Sequence, residues 1–161
     1  KVFTQVNYLT LLFNLILVTS FSISVNTFVG IQNINIIFYI IFHLSFIYFL
    51  FYHYHYFFYL LAFIYGVLFD IFLLNSIGTH LISFIILISV YVIVKKYLFL
   101  LSSFQISITI FITLISTIFI EMLIAYFFNN INITFSNLFR YFLISTIIFI
   151  PSIYILNNLD R

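Results

Sequence analysis

Cysteine is absent from this chain, glycine occurs three times, proline once, and charged residues fill only 5% of its 161 positions. Without a thiol there is no disulfide, no cysteine-ligated metal and no thiol chemistry. Three glycines are too few for a phosphate-cradling loop, and neither a Gly-x-Ser-x-Gly elbow nor a His-Glu-x-x-His helix occurs. An intramembrane hydrolase would want paired acids on facing helices, whereas the apolar runs here hold one Asp and one Glu, two runs apart. Neither enzymatic activity nor a cofactor is expected. Five basic residues against three acidic ones leave a formal charge of +2. The basic residues are scattered, so no patch is dense enough to follow a phosphate backbone, and nucleic-acid binding is not expected.

What is present is apolar: 66% of residues are hydrophobic, 24% are aromatic, and the mean hydropathy is +1.33. A soluble globule of this size buries only part of the surface its unfolded chain exposes, so it could not hide this much apolar area. The class expected is an all-α, polytopic integral membrane protein with a single domain over 1–161. Six transmembrane helices can be drawn, at about 8–29, 36–52, 57–74, 77–94, 104–128 and 138–156, each near the ~20 residues a helix needs to cross the bilayer. The first run follows Lys1 and resembles a signal peptide, but it has no small-x-small cleavage site and is read as a retained helix. With six spans, Lys1, the Lys95-Lys96 pair and Arg161 share one face, which the positive-inside rule makes cytoplasmic, with both termini there. The aromatic cluster at 51–59 (FYHYHYFFY) then falls at an interface, where amphipathic rings settle. Arg140 breaks the rule and asks for a partner.

Asp70 lies inside the third run. An aspartate near a span centre costs roughly 2.5–3.5 kcal/mol, while each Leu, Ile, Phe or Val returns about 0.3–0.6. The run can still insert, provided that the acid faces protein or water. On orientation, Asp70, His80, Glu121 and Arg140 reach similar depth in the outer leaflet. Glu121 and Arg140 are expected to form an ion pair inside the bundle, and Asp70 to hydrogen-bond hydroxyls or His80. Ala62, Gly66 and Asp70, at i,i+4 spacing, form a small-residue groove on the third run. Ser102, Gln105, Thr109, Thr113, Thr117 and Glu121 form a polar seam on the fifth. Docking of these two faces is expected. His43, His53 and His55 raise the question of a metal, but residues two apart diverge on a helix. An interfacial aromatic belt explains them better, and no metal is expected.

Gly66-x-x-x-Asp70, then Ser76-Ile77-Gly78-x-His80 after a short turn, then an apolar helix with Tyr91 and a basic end, resembles the rod shape-determining protein MreD family. The length and the six spans agree with that resemblance. The chain departs from the family at Asn33-Ile34-Asn35, where a Pro-Asp start is common, and at Ser76, where proline is frequent. The resemblance implies a scaffold subunit of the bacterial cell-elongation complex in the inner membrane, organising lateral peptidoglycan synthesis. Its direct partner would be a bitopic MreC-type protein, with MreB and the RodA–transpeptidase machinery reached indirectly. Its motif residues Gly66, Asp70, Ser76, Gly78 and His80, together with Glu121 and Arg140 singled out by charge and depth, are the structural and partner-docking candidates. The rival reading is the substrate-binding membrane subunit of an energy-coupling vitamin transporter, whose fold is similar. An outward-opening pocket lined by Glu121 and Arg140 would favour that rival, and the scarcity of alanine (Ala62 and Ala125 only) counts against it.

Overall fold

The computed structural model describes residues 32–71, 78–98, 100–129 and 135–159, all of its regular structure helical. Five helices follow in order: α1 Gln32–Tyr52, α2 Phe58–Phe69, α3 Thr79–Leu98, α4 Ser103–Asn129 and α5 Phe135–Leu159. The expected first span at 8–29 lies outside the described residues, so the count of six is neither met nor broken by these helices. Three of them are long and apolar enough to cross a membrane: Thr79–Leu98, Ser103–Phe128 and Phe135–Asn158. The apolar stretches of α1 (Ile36–Tyr52) and α2 (Phe58–Phe69) are shorter. At 1.5 Å per residue the twelve residues of α2 cover about 18 Å, and positions 72–74 of the expected third span lie outside the described residues.

Boundaries follow local chemistry. The helix expected to close at 94 runs on through Lys95 and Lys96 to Leu98, which puts both cations in its last turn, where they complement the helix dipole. Pro151 sits inside α5 and does not end it.

The axle of the bundle is α1. Ile40, Leu44, Ile47 and Leu50 are wholly buried, and so, within 1%, are Phe42, Phe46 and Tyr48. A helix buried on every side needs no polar stripe, and this one is apolar almost throughout. It packs against α3, α4 and α5. The rings of Phe42, Phe46, Phe69 and Phe84 close the centre, with centroids 4.7 Å apart for Phe42–Phe69 and 5.1 Å for Phe46–Phe84. On the far side, α5 shows much of its surface outward, with Ile147 72% and Ile150 75% exposed, as suits a face turned to lipid.

The closest helix pair is α2 with α3. A Cβ added at Gly66 would lie 2.5 Å from Leu81 Cα and 2.9 Å from Leu81 N. The two backbones therefore touch at a point that only glycine permits. This corrects one expectation: the Ala62-Gly66-Asp70 groove receives α3, not the polar seam of α4. The reason is connectivity, because a short link brings the next helix back onto the groove before any other can reach it.

Candidate functional site

Asp70 ends α2 and is completely buried. Its carboxylate faces the first turn of α3, where a helix leaves N–H groups without intrahelical partners. Gly78 N donates to Oδ2 at 2.6 Å, His80 N to Oδ1 at 2.8 Å and Leu81 N to Oδ2 at 3.3 Å. His80 Nδ1 adds a side-chain bond to Oδ1 at 2.8 Å. Asp70 thus does for α3 what a capping side chain does for its own helix, from a different helix. The position that would normally supply the cap is Gly78, which has no side chain. Its φ of +141° lies where an L-residue is strained. The expected Asp70–His80 bond is present, and Gly66 and Gly78 give it room and shape. Ser76 lies outside the described residues.

Glu121 is the second buried acid, 3% exposed, and it takes donors from two other helices. Ser83 Oγ on α3 donates to Oε1 at 2.6 Å, and the Tyr39 hydroxyl on α1 donates to Oε2. His43 Nε2 on α1 meets Oε1 at 2.9 Å. The expected pairing with Arg140 is thereby corrected: both oxygens of Glu121 are taken up by groups from α1 and α3. Arg140 lies half-buried on α5, beside Tyr141. Histidine wins because α1 runs through the middle of the bundle and delivers His43 at the depth of Glu121.

The direction of the second His43 bond follows from who can accept. His43 Nδ1 lies 2.8 Å from the Tyr39 carbonyl oxygen, which only accepts, so Nδ1 carries hydrogen. Pairing an acid with an imidazole in this way is how ionisable groups are tolerated in an apolar interior.

The two carboxylate–imidazole pairs are neighbours. The Tyr39 ring lies 4.2 Å from that of His43 and 6.0 Å from that of His80. Phe69 lies 5.8 Å and 5.5 Å from the same two rings. Four helices thus meet at one polar centre: α1 through Tyr39 and His43, α2 through Asp70, α3 through His80 and Ser83, and α4 through Glu121. Of the candidates named from the sequence, Gly66, Asp70, Gly78, His80 and Glu121 are at or beside it. Tyr39, His43 and Ser83 were missed. A signal existed for His43: a histidine in mid-run needs a polar partner, and Tyr39 stands one turn before it on the same face.

The polar seam of α4 turns out to be graded. Ser102 and Gln105 are exposed, Thr109 and Thr113 half-buried, and only Thr117 and Glu121 are buried. Thr109, Thr113 and Thr117 each bond the carbonyl four residues back, so these hydroxyls are satisfied within their own helix. No cluster of three or more His, Cys, Asp or Glu suited to a metal exists among the described residues. Two apolar hollows of about 220 and 230 Å³ open between α4 and α5, sharing Phe119 and Leu138. Neither Glu121 nor Arg140 lines them.

Compared with protein-family models, with curated proteins and with solved structures, the chain matches none.

Proposed function

We propose that this chain is a scaffold subunit of a bacterial cell-elongation complex, resembling the rod shape-determining protein MreD, in the inner membrane. On this reading it crosses the bilayer six times with both termini in the cytoplasm. It holds a bitopic MreC-type partner and does no chemistry of its own. The observation that carries the reading is the closure of the Gly66–His80 stretch upon itself. The residues on which the resemblance rests are the ones that join α2 to α3: a glycine where backbones touch, an acid that caps the next helix, a glycine at positive φ and a histidine locking the acid. Both buried acids are occupied by the chain's own donors, which suits a rigid part better than a reacting one.

The test is co-expression with an MreC-type protein and affinity purification from mild detergent. Stable copurification, weakened when Asp70→Ala loosens the α2–α3 pair, is the expected result. Absence of any complex with wild-type chain, together with copurification of an energy-coupling ATPase pair, would replace this reading with the transporter one.

A further inference from the structure

Away from the polar centre, the end of the bundle that carries the α1–α2 connection gathers cations and phenols. Lys95 stands fifteen residues beyond His80 on α3, about 22 Å along the axis. Its ammonium lies 4.7 Å over the centre of the Tyr54 ring, and that of Lys96 lies 4.8 Å over Tyr97. Tyr54 packs on Phe58 and Tyr91, with centroids at 6.5 and 5.3 Å. Its hydroxyl is enclosed and has no hydrogen-bond partner. Burial, then the neighbouring Tyr59 and Tyr56, push that phenol up from its ordinary pKa, so it stays an O–H donor. His55 Nδ1 accepts from Phe57 N at 3.2 Å, which leaves the hydrogen of a neutral ring on Nε2, and the residue is exposed. Tyr56 beside it is 77% exposed.

What this surface lacks is an acid. The chain has three. Asp70 and Glu121 are buried at the polar centre, and Asp160 lies outside the described residues. The two lysines therefore meet aromatic faces and no carboxylate among the described residues. We infer that this end of the bundle is a headgroup site for an anionic phospholipid, the phosphate held by Lys95 and Lys96 with the exposed His55 as a further donor. The aromatic rims give the occupant its class, because rings of this kind settle at the level of lipid headgroups. A phosphate there meets two ammonium groups, a charge-assisted arrangement stronger than neutral hydrogen bonds. Complementing the dipole of α3 accounts for cations in its last turn, but not for both of them standing over aromatic rims with no carboxylate beside them among the described residues. The inference needs the chain to lie in a membrane and is independent of the scaffold reading.

The experiment is native mass spectrometry of the full chain released from nanodiscs of mixed phosphatidylcholine and phosphatidylglycerol. Wild-type protein should retain phosphatidylglycerol in preference. Each surface lysine contributes roughly fivefold to binding at an anionic membrane, so Lys95→Gln/Lys96→Gln should lose about thirtyfold in retention. Tyr54→Phe, which keeps the ring and the cation–π contact and removes only an enclosed hydroxyl, should retain the lipid as the wild type does. Helicity by circular dichroism separates loss of the site from loss of the fold, and Ile147→Gln on the outward face of α5 serves as a polar control that keeps its lipid. Equal retention by the double variant and wild type would overturn the proposal, as would no preference between the two lipids. Inorganic phosphate that displaces phosphatidylglycerol completely would make the site one for a free anion and would overturn the lipid assignment.

Discussion

At the scale of single residues, two buried acids are treated differently. Asp70 is held mainly by backbone N–H groups of α3, so its role survives only while the two helices stay together. Glu121 is held by side chains alone. Removing one partner of a buried pair leaves the other without compensation, at about 3–5 kcal/mol, whereas removing both is far milder. His43→Leu should therefore lower the thermal midpoint in detergent sharply, and Glu121→Leu/His43→Leu should recover part of the loss. Additive losses in that double-mutant cycle would mean that the two side chains are not coupled. Gly66→Ala makes a separate test, because the added methyl meets the Leu81 backbone. Overpacking of this kind costs roughly 1–3 kcal/mol, and the same thermal measurement reads it. The Asp70–His80 contact was legible in the sequence because its members stand ten residues apart across one turn. The Glu121–His43 contact was not, because 78 residues separate them and nothing local selects histidine over Arg140. A lone acid in an apolar run announces that it needs a partner without saying which.

At the scale of elements, run length read the helices well and read their order of importance poorly. The helices described fall close to the drawn boundaries at 36–52, 104–128 and 138–156, since apolar length is a property of the segment itself. That α1 is the axle could not be read, because a run that is apolar all round looks the same whether it faces protein or lipid. The α4 seam misled in the opposite direction. Hydroxyls at helical spacing look like a docking face, yet Thr109, Thr113 and Thr117 spend themselves on their own carbonyls. A pair of substitutions separates axle from rim. Phe42→Ala removes a ring that is 1% exposed among Phe46, Phe69 and Phe84, and truncating a buried Phe costs about 3–5 kcal/mol. Ile147→Ala, at a side chain 72% exposed, should stay within about 0.5 kcal/mol. Similar shifts in thermal midpoint for the two would deny α1 its central place.

At the scale of the whole molecule, the absence of cysteine makes orientation directly measurable, since any introduced thiol is the sole one in the chain. The Lys95–Tyr54 contact places the α1–α2 connection and the end of α3 at the same end of the bundle. The 27 residues of α4 extend about 40 Å, enough to carry the chain to the opposite end, where α5 begins. Tyr56 and Leu100, 77% and 83% exposed, should then share one side of the membrane, and Phe135, 82% exposed, should lie on the other. On the proposed reading, the positive-inside rule puts the lysine pair, and with it the first side, in the cytoplasm. Single-cysteine variants Tyr56→Cys and Leu100→Cys should accordingly react with an impermeant maleimide only in inverted vesicles, and Phe135→Cys only in intact spheroplasts. Reversal of all three would leave the bundle intact and overturn the assignment of sides, because charge bias sets orientation while packing sets which connections share an end. Labelling of Tyr56→Cys and Leu100→Cys from opposite sides would be the graver result. No packing that keeps Lys95 over Tyr54 can produce it, and the lysine-bearing surface and the polar centre would both lose their frame.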